Sequence, residues 1–439
     1  MSPEIITILM FAALFIGILL GYPTAFTLAG ISFIFGLFFI GPEVIDIFIA
    51  RIFGLMKNYV FLSAPLFLFM GVFMEKAGVA ESLYSALYQL LGGLRGGLAI
   101  ATIAICTIFA AATGIVGASE VTIGLLALPA MIKRNYSKSL ACGSICAGGA
   151  LGILIPPSVM IVLYGPTAGL SVGKLFAGAI LPGILLSMLY IAYIAIRCFF
   201  RPGDGPAMPR EERTMPGGQK LRLLLTSIAP PIFLIFAVLG TIFFGIASVT
   251  EAAAMGVFAS ILLAGANRKL NLAIFIEAVR RTLEITSMIL MICVGAGFFS
   301  AIFVYLGGGD VVTDFVLNLP LGKWGTLMTM IGLLIVLGMY IDWLGIILII
   351  VPLFTPIAKS LGLDPIWFAM LVIMTLQTSY LTPPFATAIF YLKGIAPPEV
   401  KTTDIYRGVL PFVGIQVVGI LLCVLFPKII TILPMLMIK

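Results

Sequence analysis

The sequence predicts an all-α polytopic membrane protein built from two inverted repeats, each with a re-entrant helical hairpin and a helix broken at a Pro-Pro pair. Three observations predict it. Of 439 residues, 62% are hydrophobic and 10% charged, whereas a soluble globular domain has about 45–50% apolar and about 25% charged residues. Apolar runs near the length needed to span a bilayer recur from end to end. The pair Pro156-Pro157, in GILIPPS (152–158), returns 227 residues later as Pro383-Pro384, in SYLTPPF (379–385).

Apolar segments fall at 4–20, 23–41, 59–74, 98–112, 119–132, 139–164, 175–200, 223–245, 249–265, 283–306, 326–341, 343–358, 366–392 and 408–432. The first run lacks a basic leader and a small-residue cleavage site, so it is expected to be a retained span. Residues 201–222, rich in Pro, Gly and charge, are expected to form a cytoplasmic linker between a first repeat (1–200) and a second (223–439). Further pairs support the duplication. Residues 24–30 resemble 250–256 at an offset of 226, and 114–129 resemble 338–352 at offsets of 224 and 223. Segments 98–132 and 326–358 each hold two runs too short for comfortable independent spans. Their centres, 113–119 and 338–342, are rich in small residues, so both are expected to be hairpins that enter and leave on one side. Segments 139–164 and 366–392 are the broken helices, because proline lacks an N–H and clashes with the preceding turn. Each half then crosses five times, an odd number, and the second half is inverted. With a periplasmic N-terminus, 18 of the 25 Lys and Arg residues fall on the cytoplasmic side and 7 on the other, as the positive-inside rule requires. That count puts Arg280 and Arg281 in a cytoplasmic loop. Leu83, Leu87, Leu90 and Leu91 share one helical face and suit an interfacial helix or packing against another subunit.

The composition excludes several functions. The chain has no histidine, which removes most general-base mechanisms, zinc sites and histidine proton relays. The six cysteines lie in apolar surroundings without a CxxC pair and read as small packing residues. The net charge of +7 follows from basic residues in short loops rather than from nucleic-acid binding.

The breaks carry the chemistry. No water pairs freed backbone groups in a bilayer, so a break is tolerated where protein buries it or where it lines a cavity. Matching breaks in two halves point to a transporter's binding site. The carbonyl end of each half-helix suits a hard cation, and the N–H end suits an anion. Main-chain oxygens at Gly152, Ile155 and Pro157, completed by the tip residues Thr113, Gly114 and Ser119, form one candidate Na⁺ shell. Ser379, Thr382 and Phe385, completed by Gly338 and Asp342, form the other. Few cations lie within the apolar runs. An anionic substrate is therefore expected to lean on helix N-termini and on the hydroxyls of Ser158, Thr167 and Thr387. Intramembrane carboxylates are functional candidates. Asp342 reads equally as an ion or tip ligand and as a helix cap. Glu120 reads as functional or as a cap after Ser119, and Glu251 as a first-turn charge.

At these motifs the chain resembles a known family. GALGILIPPS (149–158) with Tyr164 and Gly165 downstream, Gly338 and Asp342 with Pro352, Leu361-Gly-x-Asp364-Pro365, and LTPP (381–384) resemble the large membrane subunit of tripartite ATP-independent periplasmic (TRAP) transporters, the DctM-like permeases, over the whole chain. The resemblance implies a multi-pass protein of the bacterial inner membrane with an elevator-type transporter fold. It implies a Na⁺-driven symporter importing small organic anions such as carboxylates, with Na⁺ as coupling ion, no other cofactor and no enzymatic activity. The implied partners are a periplasmic solute-binding protein and a small four-helix membrane subunit, the latter expected to be a separate protein. The chain departs from many relatives where Ile115 and Val116 replace hydroxyls at the first tip, where Ser379 replaces Gly, and where Glu120 replaces an apolar residue. A stand-alone Na⁺/dicarboxylate symporter of similar hairpin architecture is the alternative. An intramembrane enzyme is disfavoured by the absent histidine and unclustered carboxylates, and a channel by breaks that suit occluded sites.

Overall fold

The computed structural model describes all residues except 115, 210–216, 319, 385 and 438–439, and describes Thr113 and a few other helical residues by backbone alone. Among the described residues every regular element is helical. The first repeat runs α1 (Pro3–Leu19), α2 (Thr24–Phe39), α3 (Val44–Met56), α4 (Ser63–Lys76), α5 (Val79–Leu91), α6 (Gly97–Thr113), α7 (Val116–Lys133), α8 (Lys138–Ala150), α9 (Val159–Ala168) and α10 (Val172–Phe200). The second runs α11 (Gly217–Phe243), α12 (Val249–Ala266), α13 (Leu272–Tyr305), α14 (Gly308–Leu317), α15 (Gly322–Gly338), α16 (Trp343–Ser360), α17 (Pro365–Ser379), α18 (Thr387–Ile395), α19 (Thr402–Leu425) and α20 (Lys428–Leu436). Seven described helices are long and apolar enough to cross a bilayer.

The duplication is written into the backbone. Left-handed positions recur in matched pairs, Gly21 with Gly245, Gly41 with Arg268, Gly78 with Gly307, Gly96 with Gly322 and Asn135 with Gly362, each 224–229 residues apart. Both Pro156-Pro157 and Pro383-Pro384 are cis. Local caps start several helices as their sequences dictate. Asn271 Oδ1 accepts from Ile274 N at 2.7 Å on α13, and Asp364 Oδ1 accepts from Trp367 N at 2.8 Å on α17. Ser248 and Glu251 close a capping box on α12, so Glu251 is the first-turn charge that its position suggests.

Two packing zones follow from residue size. α6–α10 and α15–α19 make an inner body. Every residue of α8 from Leu140 to Ala150 is buried, as is every residue of α17 from Trp367 to Ser379. α8 lies along α19, where a side chain on Gly143 would collide with the Gly408 carbonyl; small residues let the two backbones approach. α1–α4 and α11–α13 make an outer frame in which α13 packs along α2 and α4. The frame exposes large apolar residues such as Phe26, Phe38, Phe53, Phe233, Phe236 and Phe258.

Four expectations need correction. α3 and α14 are helices that the apolar segments did not mark. The last apolar segment is two helices, α19 and α20. Arg280 and Arg281 are not in a loop but inside α13, whose 34 residues make a helix about 50 Å long at about 1.5 Å per residue. And two adjacent prolines do not by themselves break a helix. Pro230-Pro231 sits inside unbroken α11, as transmembrane helices can tolerate when neighbours re-satisfy the freed groups. What sets the other two pairs apart is the hairpin tip packed against each.

Candidate functional site

At the first tip α6 ends on Gly114, whose φ of 62° is left-handed. Its N–H closes the turn onto the Ala110 carbonyl at 2.8 Å. A Cβ at Gly114 would stand 2.5 Å from the Pro157 carbonyl oxygen, so the tip rests directly on the first break. There α8 ends, a 3₁₀ turn covers Leu151–Ile153, and Ser158 Oγ donates to the Ile153 carbonyl. Gly152 lies in that turn. The Ile155 side chain points to Gly183 on α10, so any ion contact by Ile155 is through its main chain. Ser119 is buried in the first turn of α7.

The second tip repeats the arrangement. A Cβ at Gly338, the last residue of α15, would stand 2.6 Å from Ser379 Cβ at the end of α17. Asp342 caps α16, its Oδ2 accepting from Leu344 N at 3.2 Å. Ser379 Oγ donates to the Leu376 carbonyl at 2.5 Å, and Thr382 Oγ1 donates to the Thr378 carbonyl at 2.6 Å. Donating in this way leaves the hydroxyl oxygens with lone pairs to offer. Phe385 lies outside the described residues. Both junctions are thus oxygen-rich backbone and hydroxyl surfaces, the donor set that suits a hard monovalent cation.

One cavity of about 1240 Å³ joins the two halves. Gly114 and Gly117 from the first tip, Ser158 from the first break, Asp342 from the second tip, and Tyr380 and Thr387 from the second break all border it. The first turns of four helices, α7, α9, α16 and α18, reach its wall. Their N–H ends carry partial positive charge. α9 and α18 have no side-chain cap on those groups. Ser158 and Thr387 therefore border one cavity. Thr167 sits near the C-terminus of α9, donates to the Leu163 carbonyl at 2.8 Å, and does not border the cavity.

One end of the cavity carries charges on α4 and α13. Lys76 Nζ pairs with Glu277 at 2.7 Å, and Arg280 and Arg281 both face Glu284. Thr122 Oγ1 on α7 donates to Glu75 Oε1 on α4 at 2.7 Å, joining inner body to outer frame. The signal that could have placed the arginines is the absence of Gly or Pro from 272 to 294, which lets the apolar helix continue toward its N-terminal cap.

Glu120 does not cap α7. It is fully buried, and neither carboxylate oxygen has a hydrogen-bond partner among the described residues. Gly149 on α8 makes room for it, since a Cβ there would come within 2.9 Å of Glu120 Cβ. The Cys146 thiol lies beside it but donates to the Ala388 carbonyl at 3.7 Å.

Residues 11–429 match the family described as Tripartite ATP-independent periplasmic transporter, DctM component. The chain belongs to the DctM family. Its match takes in both hairpins and both breaks. The C4-dicarboxylate TRAP transporter large permease protein DctM of Pseudomonas aeruginosa is 30% identical over 409 residues, 92% of this chain and 93% of that one. The isethionate TRAP transporter permease protein DctMQ of Oleidesulfovibrio alaskensis is 30% identical over 425 residues, 94% of this chain, and this chain spans 65% of its length. Among solved structures, the Alcanivorax borkumensis YdaH transporter, whose topology is described as unusual, is similar with a TM-score of 0.60 at 15% identity, covering 88% of this chain and 87% of that one. At that identity the likeness bears on fold alone.

Proposed function

We propose that this DctM-family chain is the large transmembrane subunit of a Na⁺-coupled, binding-protein-dependent importer of small organic anions that works by elevator movement. The observation that carries the reading is the central cavity, bounded at once by both hairpin tips and both breaks, with the first turns of four helices at its wall. One Na⁺ would be held by the tip at Thr113, Gly114 and Ser119 with Gly152, Ile155 and Pro157. The second would be held at Gly338, Ser379, Thr382 and Phe385, with Asp342 holding the tip in shape. The anion would take N–H groups of α9 and α18 with the hydroxyls of Ser158 and Thr387. The inner body would slide against the frame, the Na⁺ gradient supplying the drive. Relatives named for a dicarboxylate and for isethionate support an acid group without fixing it as a carboxylate.

The charged cavity end lies on the side richer in Lys and Arg, which supports an inward-facing conformation with the N-terminus periplasmic. The exposed apolar faces of the frame suit a small membrane subunit, and a periplasmic binding protein would deliver substrate at the end of the molecule away from the charged end of the cavity. The relative named DctMQ is consistent with a further membrane component. The test is uptake into proteoliposomes containing this chain and its small subunit, with binding protein outside and an imposed ion gradient. Uptake should need inward Na⁺ and binding protein together. Uptake driven by a proton gradient without Na⁺ would refute the coupling, and uptake without binding protein would favour a stand-alone symporter.

A further inference from the structure

Among the described residues, three cations border the central cavity, Lys76, Arg280 and Arg281, and they are not equivalent. Lys76 is committed to Glu277 at 2.7 Å. Arg280 Nε holds Glu284 at 3.2 Å, and Arg280 also borders a shallow groove beside Phe275, Val279 and Leu283. Arg281 does not border that groove. Its ion pair is to the same Glu284 at 3.6 Å, outside hydrogen-bond reach; both arginine side chains are largely exposed, Arg280 at 81% and Arg281 at 62%, so the length of the Glu284 contact is what sets Arg281 apart. Adjacent residues on a helix point about 100° apart, which explains why both arginines border the cavity but only Arg280 also reaches the groove.

The opposite wall carries hydroxyls and the first turns of helices, with Asp342 also at its edge. Tyr391 on α18 lies over the first tip, its ring 3.0 Å from where a Cβ of Gly117 would stand. Arg281 is within electrostatic reach of Tyr391 and of Glu75. Ser158 and Thr387 border the same space. An anion on the first turns of α9 and α18 would have hydroxyls on the inner-body side and one guanidinium with open donors on the frame side.

We infer that Arg281 is a docking group for the acid group of the substrate, a carboxylate or sulfonate, held by the frame and engaged in the conformation described here. The inference rests on the transport reading and deepens it. A guanidinium matches either acid group with paired N–H donors. Because Arg281 sits on frame helix α13, it meets the anion when the carried site is level with this end of the cavity. It therefore acts at one face of the membrane, the release face in the proposed orientation, and shapes affinity there without joining the site that moves.

Two measurements test this on the purified chain with its small subunit, comparing Arg281→Gln, Arg281→Lys and Arg280→Gln. The first is iodide quenching of Trp343, which borders the cavity, in a Trp324→Phe background; Trp367 is 3% exposed and stays silent. Arg281→Gln should at least halve the iodide quenching constant while leaving quenching by neutral acrylamide unchanged. Arg281→Lys should retain it, and Arg280→Gln should change it less. This readout holds whatever ion drives transport, so it separates failure of this inference from failure of the coupling. The second is substrate exchange from loaded proteoliposomes. The inside KM should rise about tenfold in Arg281→Gln, the loss of one charge-assisted hydrogen bond, with the outside KM unchanged. Unchanged iodide quenching, or KM values that stay put or rise equally on both sides, would overturn it.

Discussion

Replacing Gly114 by Ala should weaken Na⁺ binding at the first tip, and the size of the effect follows from one angle and one distance. The residue is left-handed at φ 62°, which costs an L-residue roughly 1–2 kcal/mol. Its new Cβ would also stand 2.5 Å from the Pro157 carbonyl oxygen. A carbon and a carbonyl oxygen settle at about 3.3 Å or more, so tip and break must part by roughly 0.8 Å. Ligand distances in ion sites hold to about ±0.2 Å, so a displacement of that size removes at least one ligand. The Na⁺ concentration for half-maximal uptake should rise at least tenfold, about 1.4 kcal/mol. Gly169→Ala separates the two terms. Gly169 has φ 68° but nothing within 4 Å of its would-be Cβ, so it should lower the melting temperature and leave the Na⁺ dependence alone. Gly338→Ala meets Ser379 Cβ at 2.6 Å without a left-handed φ, and should weaken Na⁺ binding by a smaller factor. The assay is initial uptake against Na⁺ concentration in proteoliposomes, with thermal melting of each variant alongside. Equal Na⁺ shifts in Gly114→Ala and Gly169→Ala would refute the claim that tip-to-break contact builds the ion site.

Three other outcomes are expected. Thr382→Val removes a hydroxyl oxygen while keeping the shape of the helix end, and should raise the half-maximal Na⁺ concentration severalfold with little change in melting temperature; an unchanged Na⁺ curve would assign Thr382 a main-chain role only. Cysteines at Glu75 and Thr122, 2.7 Å apart at their polar tips, should trap the transporter when joined by a short thiosulfonate spanner in a cysteine-free background. Undiminished transport in the cross-linked protein would show that α7 does not move against α4. Glu120→Gln replaces a fully buried carboxyl that no described group pairs with by a neutral side chain of the same shape, so it should leave the melting temperature unchanged; a fall of more than about 5 °C, near 1 kcal/mol on the scale of a small domain, would mark the carboxyl as a working ligand.

The features of the fold that were legible in the sequence share a cause. A hairpin tip, a helix break and a tight loop each need residues that few types can supply, so Gly, Pro and small hydroxyl residues recur where geometry demands them. That is why GILIPPS and SYLTPPF marked both breaks, and why 113–119 and 338–342 marked both tips. α3 and α14 were missed because neither is a long apolar run. α14 has ten residues with Asp310 and Asp314 among them, too short and too charged to stand out by hydropathy.

The arginines were missed for a different physical reason, and it bears on the chemistry. Hydropathy records where a helix leaves the apolar layer, not where it ends. A hydrocarbon layer of about 30 Å needs some twenty helical residues, fewer than the 34 of α13; Glu277, Arg280, Arg281 and Glu284 all sit in its N-terminal part, still helical. A loop there would leave those charges mobile in water. A capped helix that stays continuous from Asn271 to Tyr305 instead fixes them on the wall of the cavity, at a set height relative to Ser158 and Thr387. The frame thereby offers charge outside its long apolar stretches, which reconciles the proposed anion site with apolar spans that hold almost no cation of their own.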